Sequence, residues 1–307
     1  GRRALDMAGV RPDELDLIIH ASFTPSMMVP GDHVLVAQEL SAARTPSYSL
    51  TAACAGSVYA MAMAQGLISS GAMRRILVTG SETISPTLDF GEPLTAIIFG
   101  DGAGAVVLGA VDQRRGGMLR PALGFDFNVE NITMNNANLP FTSKVRVAAQ
   151  NGVPPAVEKE YLEMRSGPSV LRSAINAMAE VTAQVLGHRG GDLRDPELRE
   201  TLGGIRLIPH QANGRIVDGL TRKLGLDPGR VTKTIFKTGN ISAASNLIAL
   251  DYAVRHGNMT AIRDPETEGI REVQEIADPV RKGDLVVLTT IGAGYLYGAA
   301  GFVNTIE

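Results

Sequence analysis

The sequence contains one cysteine and no tryptophan among its 307 residues. A single cysteine excludes an internal disulfide bond and any metal site that needs two or more thiolates. Because disulfides are rare in reducing compartments, the sequence agrees with a cytoplasmic location, which we expect here. It also lacks an apolar run of about 18 residues, the length that a membrane-spanning helix requires. We therefore expect neither a transmembrane segment nor a disulfide framework.

Charge of either sign is scarce as well. Charged residues make up 20% of the chain and hydrophobic residues 44%, and the formal net charge is -3. This balance is typical of a globular protein with a sizeable core. Since no strong positive charge is present, the sequence offers no electrostatic reason to bind nucleic acid or an anionic membrane.

Short β-branched and apolar runs alternate with helical patterns along the chain, which is typical of a layered α/β fold. One amphipathic helix is predicted between Pro168 and Gly187, where apolar residues recur every three or four positions. Strands are predicted at residues 15–22, 75–80, 95–100, 103–111, 205–210, 233–239, 284–292 and 295–303. Several of them are apolar throughout, which indicates sheets that are buried on both faces.

Two segments of the first half return in the second half. LDLIIHAS resembles IRLIPHQA, which pairs His20 with His210, and the segment that begins at Cys54 overlays the one that begins at Asn240 without a gap. Two matches in the same order favour an internal duplication. We predict an N-terminal half over 1–125, a connecting segment rich in Asn and Pro over 126–165, and a C-terminal half over 166–307. A charged stretch over 262–284 is predicted to be a solvated surface insertion.

Cys54 lies among alanines at the predicted start of a helix. The unpaired N–H groups and the positive dipole of a helix N-terminus favour a thiolate, and small neighbours leave room for a substrate. A solitary cysteine is also commonly a small buried hydrophobic residue. Both roles stay open from this position alone.

His210 and Asn240 gain interest from the duplication. His210 ends a predicted strand and Asn240 follows one. A strand-end histidine commonly serves packing, and asparagine commonly serves as a turn residue or helix cap. If the halves are related by a pseudo-twofold axis, Cys54 and Asn240 come from equivalent strand-to-helix junctions, with His210 beside them. The carboxyl ends of strands are where α/β sheets build their sites, so the three residues predict one site.

The motifs around these residues are AACAG at Cys54, PHQANGRI from Pro209 and GNISAAS from Gly239, together with FGDGAGAVVLG and the later GAG at 292–294. In this order, over nearly the whole chain, they resemble the β-ketoacyl-acyl-carrier-protein synthase III family of the thiolase-like superfamily. The resemblance implies a five-layer α/β/α/β/α fold built from two duplicated halves, and a homodimer.

The resemblance also implies a mechanism. Cys54 would be the nucleophile that takes an acyl group from a coenzyme A or carrier-protein thioester. His210 and Asn240 would stabilise charge on a malonyl thioester as it loses carbon dioxide, and the resulting carbanion would attack the acyl group. The backbone N–H groups of Cys54 and Ala293 would form a second oxyanion site. No metal and no tightly bound cofactor are implied, since coenzyme A or phosphopantetheine arrives with the substrate.

Further positions are matched to the family in the same way. Asn213 and Arg215 match positions near the pantetheine arm and the carrier-protein surface. Arg215, Arg222 and Lys223 would present a basic patch to an acidic acyl carrier protein, and a solvated helix face is the alternative.

The resemblance also places Met28 and Val29 in a loop that family members extend across the dimer into the partner's acyl tunnel. Ordinary dimer packing is the alternative for these two residues. We expect a homodimer in either case.

Three departures from the family pattern stand out. The sequence begins inside what should be an early helix, so the first strands of the family are missing from it. Ile291 stands where members of primary metabolism tend to have Phe, and Ala293 replaces a glycine. The last two departures, with the long insertions, favour a relative in specialised metabolism.

Three alternatives remain. The fold could serve acyl transfer to an amine, alcohol or thiol, or condensation without decarboxylation. A non-catalytic scaffold subunit is the second alternative, although Cys54, His210 and Asn240 are all retained. A glycine-rich nucleotide site is disfavoured, because neither GDGAG nor GAGYLYG fits G-x-G-x-x-G and both precede predicted strands.

Overall fold

The computed structural model describes residues 1–111, 117–127, 132–133, 162–164, 167–188, 190, 192–263, 270–276 and 278–305. Most of the predicted connecting segment over 126–165 lies outside these residues. Within them, no helix is long and apolar enough to cross a bilayer.

The described helices and strands alternate along the chain as the sequence predicts. The helices are α1 Arg2–Ala8, α2 Asp32–Glu39, α3 Gly56–Ser69, α4 Pro93–Ala96, α5 Gly167–Val185, α6 Pro196–Gly204, α7 Gly214–Leu224, α8 Ile235–Thr238 and α9 Ser245–Arg255. The strands are β1 Leu17–Ala21, β2 Ser47–Leu50, β3 Arg75–Glu82, β4 Gly102–Gly109, β5 Ala122–Phe125, β6 Ile132–Thr133, β7 Glu163–Met164, β8 Ile205–Pro209, β9 Asn258–Arg263, β10 Ile270–Ile276, β11 Leu285–Gly292 and β12 Leu296–Val303.

Two four-stranded sheets share one pattern of strand directions. The first has the order β2-β1-β3-β4, with β1 parallel to β2 and β3, and β4 antiparallel to β3. The second has the order β5-β12-β11-β8, with β8 parallel to β11 and β12 antiparallel to β11. The triplet β1-β3-β4 therefore recurs as β8-β11-β12. This recurrence is the duplication that the sequence predicts.

Helices α3 and α9 lie between the two sheets and contact both of them. The central core joins apolar residues of β1, β3, β8 and β11 to those of these two helices. Helices α1 and α2 cover the outer face of the first sheet, while α5 packs on the second sheet and on α7. The result is the five-layer α/β/α/β/α arrangement.

Two predicted strands are absent from the sheets, and each overlaps a short helix. Residues 95–100 overlap α4, where Pro93 occupies the first turn and the Glu92 side chain accepts a hydrogen bond from the Thr95 N–H at 3.0 Å. Residues 233–239 overlap α8, whose first N–H groups, those of Thr234 and Ile235, donate to the Gln211 side chain. Both predictions were wrong because capping groups outweigh β-propensity in segments this short.

The predicted pairing of the halves was wrong by three residues at the strand-to-helix junction. Each half has a 3-10 turn directly before its central helix, Ala53–Ala55 before α3 and Ser242–Ala244 before α9. Both turns open on a residue with positive φ, 45° at Ala53 and 44° at Ser242. The structure therefore pairs Ala53 with Ser242, and Asn240 precedes the counterpart of Cys54. Stretches of small residues resemble one another in several registers, so the sequence match alone could not determine which residues of the two halves correspond.

The charged stretch over 262–284, predicted to be a solvated surface insertion, has regular structure in part. It contributes β10, which pairs antiparallel with β9 to form a two-stranded hairpin. Ion pairs join this region to the body of the protein, Lys237 with Glu275 and Arg206 with Asp278. Residues 264–269 at its tip lie outside the described residues.

Candidate active site

Cys54 lies in the 3-10 turn that leads into α3. Gly56 follows it, and a side-chain carbon at this glycine would lie 3.1 Å from the Ala21 Cβ and 3.3 Å from the Ala243 Cβ. The turn therefore packs against the end of β1 and against the equivalent turn of the other half. Cys54 as a whole residue is partly buried, at the junction of the two halves.

The end of β11 lies against the other side of the same turn. The Thr290 hydroxyl donates to the Cys54 carbonyl at 3.1 Å. A Cβ on Gly292 would lie 3.0 Å from the amide nitrogen of Cys54 and from that of Ala55. Since β11 ends at Gly292, Ala293 is the next residue, and its backbone N–H reaches the Cys54 side chain.

Desolvation governs the ionisation of Cys54. Burial raises the pKa of the Cys54 thiol to about 11, and the carboxylate of Glu82 acts in the same direction. The Ser242 side chain and the backbone N–H groups of Cys54 and Ala293 oppose this rise in pKa without cancelling it. The backbone N–H groups at the helix start thus act in the expected direction, but burial outweighs them.

His210 directly follows β8 and is only 1% exposed. Its backbone N–H donates to the Thr289 carbonyl of β11 at 2.7 Å, which fixes His210 beside the end of that strand. Burial lowers the pKa of His210 to about 3, so the imidazole is neutral at pH 7. Its Nδ1 has no hydrogen-bond partner among the described residues. A neutral imidazole carries one N–H donor and one acceptor nitrogen.

Asn240 is held by a short parallel bridge to Phe99. Its N–H donates to the Ile98 carbonyl at 2.8 Å, and its carbonyl accepts from Gly100 at 3.0 Å. The Asn240 Oδ1 accepts from the Ser242 N–H at 2.8 Å, and its Nδ2 lies 3.5 Å from the Ala212 carbonyl. The side-chain amide thus joins the turn opposite Cys54 to the segment that carries His210.

These contacts bring the three predicted residues into one site. Ser242 borders both Cys54 and Asn240, and Asn240 borders Ala212, two residues beyond His210. Of the predicted oxyanion donors, the N–H groups of Cys54 and Ala293 both face the thiol. Two backbone donors therefore face the thiol, and a neutral amide and a neutral imidazole are joined to it through Ser242 and Ala212.

Glu82, Ser242 and Thr290 border the site and were missed by the sequence analysis. The Glu82 carboxylate is 3% exposed and accepts hydrogen bonds from Ser22 and Thr24. Burial raises its pKa. Only Ser242 lay within a motif that the sequence analysis used, GNISAAS, whereas Glu82 and Thr290 carried no such signal.

The predicted basic residues all lie on α7. Asn213 is its N-cap, and its side chain accepts from the Arg215 N–H at 2.8 Å. Arg215 and Arg222 are exposed and lie two helical turns apart, so they share a side. Lys223 is exposed beside α5 instead, in a small groove that it shares with Glu180. The structure therefore divides the predicted patch between two faces.

Met28 and Val29 lie on the loop between β1 and α2 and are 68% and 87% exposed. Phe90, Leu94 and Ile97, on and around α4, are a second set of exposed apolar side chains, each more than 70% exposed.

A groove of about 1720 Å³ in the described part of the chain does not contain the site. It follows β4, the edge strand of the first sheet, and is also lined by residues of α1 and α9. Cys54, His210 and Asn240 are absent from its lining. Among the residues with described positions, no cluster of three or more His, Cys, Asp or Glu could hold a metal ion.

Two family models match the chain. The model of 3-oxoacyl-[acyl-carrier-protein] synthase III matches residues 48–126, and the C-terminal model of the same family matches residues 205–263. A β-ketoacyl-[acyl-carrier-protein] synthase III from Desulfitobacterium hafniense is 34% identical over 298 residues, which are 97% of this chain and 79% of that protein. The chain belongs to this family.

Further members agree in sequence and structure. The synthase III of Symbiobacterium thermophilum is 35% identical over 97% of this chain and 79% of its own length. The crystal structure of the Aquifex aeolicus synthase III superposes with a TM-score of 0.77 at 30% identity, covering 99% of this chain and 82% of the other. A priming β-ketosynthase of the R1128 polyketide pathway gives a TM-score of 0.75 at 28% identity, covering 100% and 80%. The synthase III fold, and its class as an acyltransferase and condensing enzyme, follow from these matches.

Proposed function

We propose that this synthase III condenses an acyl group, held on Cys54, with a malonyl-type thioester. The observation that carries the proposal is the convergence of two backbone N–H groups, those of Cys54 and Ala293, on the only thiol of the chain. His210 and Asn240 border the same site as neutral groups. A nucleophile with two preorganised oxyanion donors is the arrangement that acyl transfer requires.

In the first half-reaction the Cys54 sulfur attacks the carbonyl carbon of an acyl thioester. The new bond joins the sulfur to that carbon, the bond to the departing thiol breaks, and the thiol leaves with the proton of Cys54. The N–H groups of Cys54 and Ala293 stabilise the negative charge on the carbonyl oxygen during this exchange. Since Cys54 is mainly a thiol at pH 7, the free energy needed to remove its proton is part of the activation barrier for acyl transfer.

In the second half-reaction the bond between the malonyl carbon and its carboxylate breaks and carbon dioxide leaves. The electron pair moves onto the thioester oxygen, where the donors of His210 and Asn240 stabilise the enolate. Its carbon then attacks the acyl group, the carbon–sulfur bond to Cys54 breaks, and the released thiolate takes a proton from water to restore the thiol. Neutral His210 and Asn240 suit this step, because a donor that does not ionise between pH 5 and 9 keeps its hydrogen bond.

Substrate and partner assignments belong to the same proposal. The named relatives point to an acyl carrier protein, and exposed Arg215 and Arg222 on α7 offer positive charge to an acidic carrier. Coenzyme A or phosphopantetheine enters with the substrate, and no tightly bound cofactor is part of the proposal. A cytoplasmic location agrees with the single unpaired cysteine.

A homodimer is the proposed assembly. Met28 and Val29 are the supporting observation, since large exposed apolar side chains mark interaction surfaces. The exposed apolar side chains of Phe90, Leu94 and Ile97 support it as well.

Intact-protein mass spectrometry tests the reaction. Wild type incubated with a panel of acyl-coenzyme A thioesters is expected to gain one acyl mass, and Cys54→Ala none. His210→Ala and Asn240→Ala are expected to accept the acyl group but to release carbon dioxide from malonyl thioesters at least about 100-fold more slowly. His256→Ala, an exposed histidine on the far end of α9, is the control. Acylation of Cys54→Ala, or no adduct with any donor, would overturn the proposal.

A further inference from the structure

Two adjacent threonines near the end of β11 point to opposite sides of the strand. Thr289 and Thr290 are both fully buried, and each donates its hydroxyl to a backbone carbonyl. Thr289 bonds the Met178 carbonyl of α5 at 3.2 Å. Thr290 bonds the Cys54 carbonyl at 3.1 Å. The two residues share type, strand and burial, and they differ in whether the hydroxyl touches the nucleophile.

The turn that Thr290 holds is under backbone strain. Ala53 has φ of 45°, in the left-handed region that residues other than glycine rarely adopt. The turn closes with a hydrogen bond from the Ala55 N–H to the Ala52 carbonyl at 3.0 Å. Strained turns persist only where the surrounding structure fixes them, and contacts from other elements supply that constraint.

Gly292 supports the same turn from the same side of β11. It lies two residues after Thr290, so both face the turn. A Cβ on Gly292 would lie only 3.0 Å from the Cys54 amide nitrogen, which means that the strand backbone itself touches the turn. A larger residue here would push β11 away from Cys54.

The two oxyanion donors belong to different elements. The Cys54 N–H lies in the turn, whereas the Ala293 N–H lies just beyond β11. Their separation therefore depends on how β11 is attached to the turn. The Thr290 hydroxyl provides a hydrogen bond between these two elements, directly at the nucleophile.

We propose that Thr290 is a positioning residue that holds the Cys54 turn against the end of β11 and so aligns the two N–H donors around the thiol. The inference rests on the proposed role of Cys54 as the nucleophile. Thr290 acts through Cys54, because its side chain is fully buried and its hydroxyl donates to the Cys54 carbonyl. Loss of its hydroxyl separates the donors and loosens the turn, while the methyl groups of a valine would keep the packing of β11.

The test compares four proteins, namely wild type, Thr290→Val, Thr290→Ser and the matched control Thr289→Val. The rate of acyl transfer to Cys54 is followed by mass spectrometry at saturating acyl-coenzyme A, and alkylation by iodoacetamide is followed in parallel. Thr290→Val is expected to acylate about tenfold more slowly, the effect of one lost hydrogen bond on a barrier. Thr290→Ser restores the hydroxyl and the rate. Thr289→Val has a melting temperature similar to that of Thr290→Val but acylates like wild type.

The alkylation rate is a second readout, and in Thr290→Val it is expected to change in the direction opposite to the acylation rate. A loosened turn exposes the thiol to the reagent, so Thr290→Val is expected to react faster with iodoacetamide at pH 8 while it acylates more slowly. Equal acylation rates in Thr290→Val and Thr289→Val would overturn the positioning role. If wild type accepts no acyl group, the proposed function fails. In that case the alkylation rates alone test whether Thr290 holds the turn. Equal alkylation rates in Thr290→Val and Thr289→Val would overturn the positioning role as well.

Discussion

Burial of the Cys54 side chain outweighs the local features that favour a thiolate. The backbone N–H groups of Cys54 and Ala293 and the Ser242 side chain lower its pKa, yet the thiol ends at about 11 because surrounding protein excludes water and Glu82 adds negative charge nearby. The same backbone donors gain importance when an acyl oxygen occupies their position. The site is therefore organised for the charge of the transition state and not for the charge of the free thiolate.

The pH dependence of alkylation follows from this pKa. Because the thiolate reacts and the thiol does not, the iodoacetamide rate at Cys54 is expected to rise about tenfold per pH unit from pH 7 to pH 10. An ordinary cysteine levels off above about pH 8.5 to 9. The measurement is the second-order rate constant in a pH series, with a cysteine-containing peptide as the reference. A plateau below pH 9 in the protein would contradict the raised pKa.

Single residues also show the limits of sequence reasoning. Cys54, His210 and Asn240 lay in motifs whose order could be recognised, so they could be named before the fold was seen. Thr290 could not be found in this way, because its role depends on a hydrogen bond to a residue 236 positions away.

At the scale of elements, close approach of backbones decides how β4 packs. A Cβ on Gly104 would lie 2.6 Å from the Leu247 Cβ and 2.9 Å from the Ile248 amide nitrogen of α9. Backbone atoms cannot move aside cheaply, so only glycine fits there. At Gly109, in the same strand, an added Cβ would lie 3.9 Å from the nearest atom, the Arg74 carbonyl oxygen.

This contrast gives a paired prediction for stability. Gly104→Ala is expected to lower the free energy of unfolding by about 1–3 kcal/mol, the usual cost of overpacking. Gly109→Ala is expected to change it by less than about 0.5 kcal/mol. Thermal unfolding followed by circular dichroism compares the two variants with wild type. Equal melting temperatures for both variants would show that β4 and α9 can move apart.

The short elements explain why two strand predictions failed. Residues 95–100 and 233–239 carry β-branched residues, but Glu92 caps α4 and Gln211 caps α8 through their side chains. The cap of α4 is local and could have been recognised in the sequence. The cap of α8 comes from more than 20 residues away, so no local sequence pattern predicts it.

At the scale of the whole molecule, the two halves meet at their equivalent turns. Ala243 of the second half lies against two glycines of the first half, Gly56 and Gly80. A Cβ on Gly80 would lie 2.9 Å from the Ala243 carbonyl oxygen. This contact joins the sheets at the point where Cys54 and Asn240 are presented. Neither half contains the complete site, since His210 and Asn240 belong to the second half and Cys54 to the first.

The proposed homodimer gives a prediction at this scale. Val29→Asp places a charge on a side chain that is 87% exposed in the single chain, so the fold tolerates it, whereas a dimer that buries Val29 does not. Wild type is expected to elute at twice the chain mass in size-exclusion chromatography with light scattering, and Val29→Asp at the chain mass. Ile276→Asp, on the exposed side of β10, is the control and keeps the wild-type mass. A Val29→Asp dimer would exclude this loop from the interface.

The sequence by itself determined the layered α/β class, the duplication and the three residues of the candidate site. These depend on hydrophobic periodicity and on short motifs, both of which are local properties of the chain. The tertiary structure alone decided the register between the halves, the capping of α8 by Gln211, the high pKa of Cys54 and the contact of Thr290 with Cys54. Each of these arises from desolvation or hydrogen bonds between residues distant in sequence, and their energies exist only once the chain has folded.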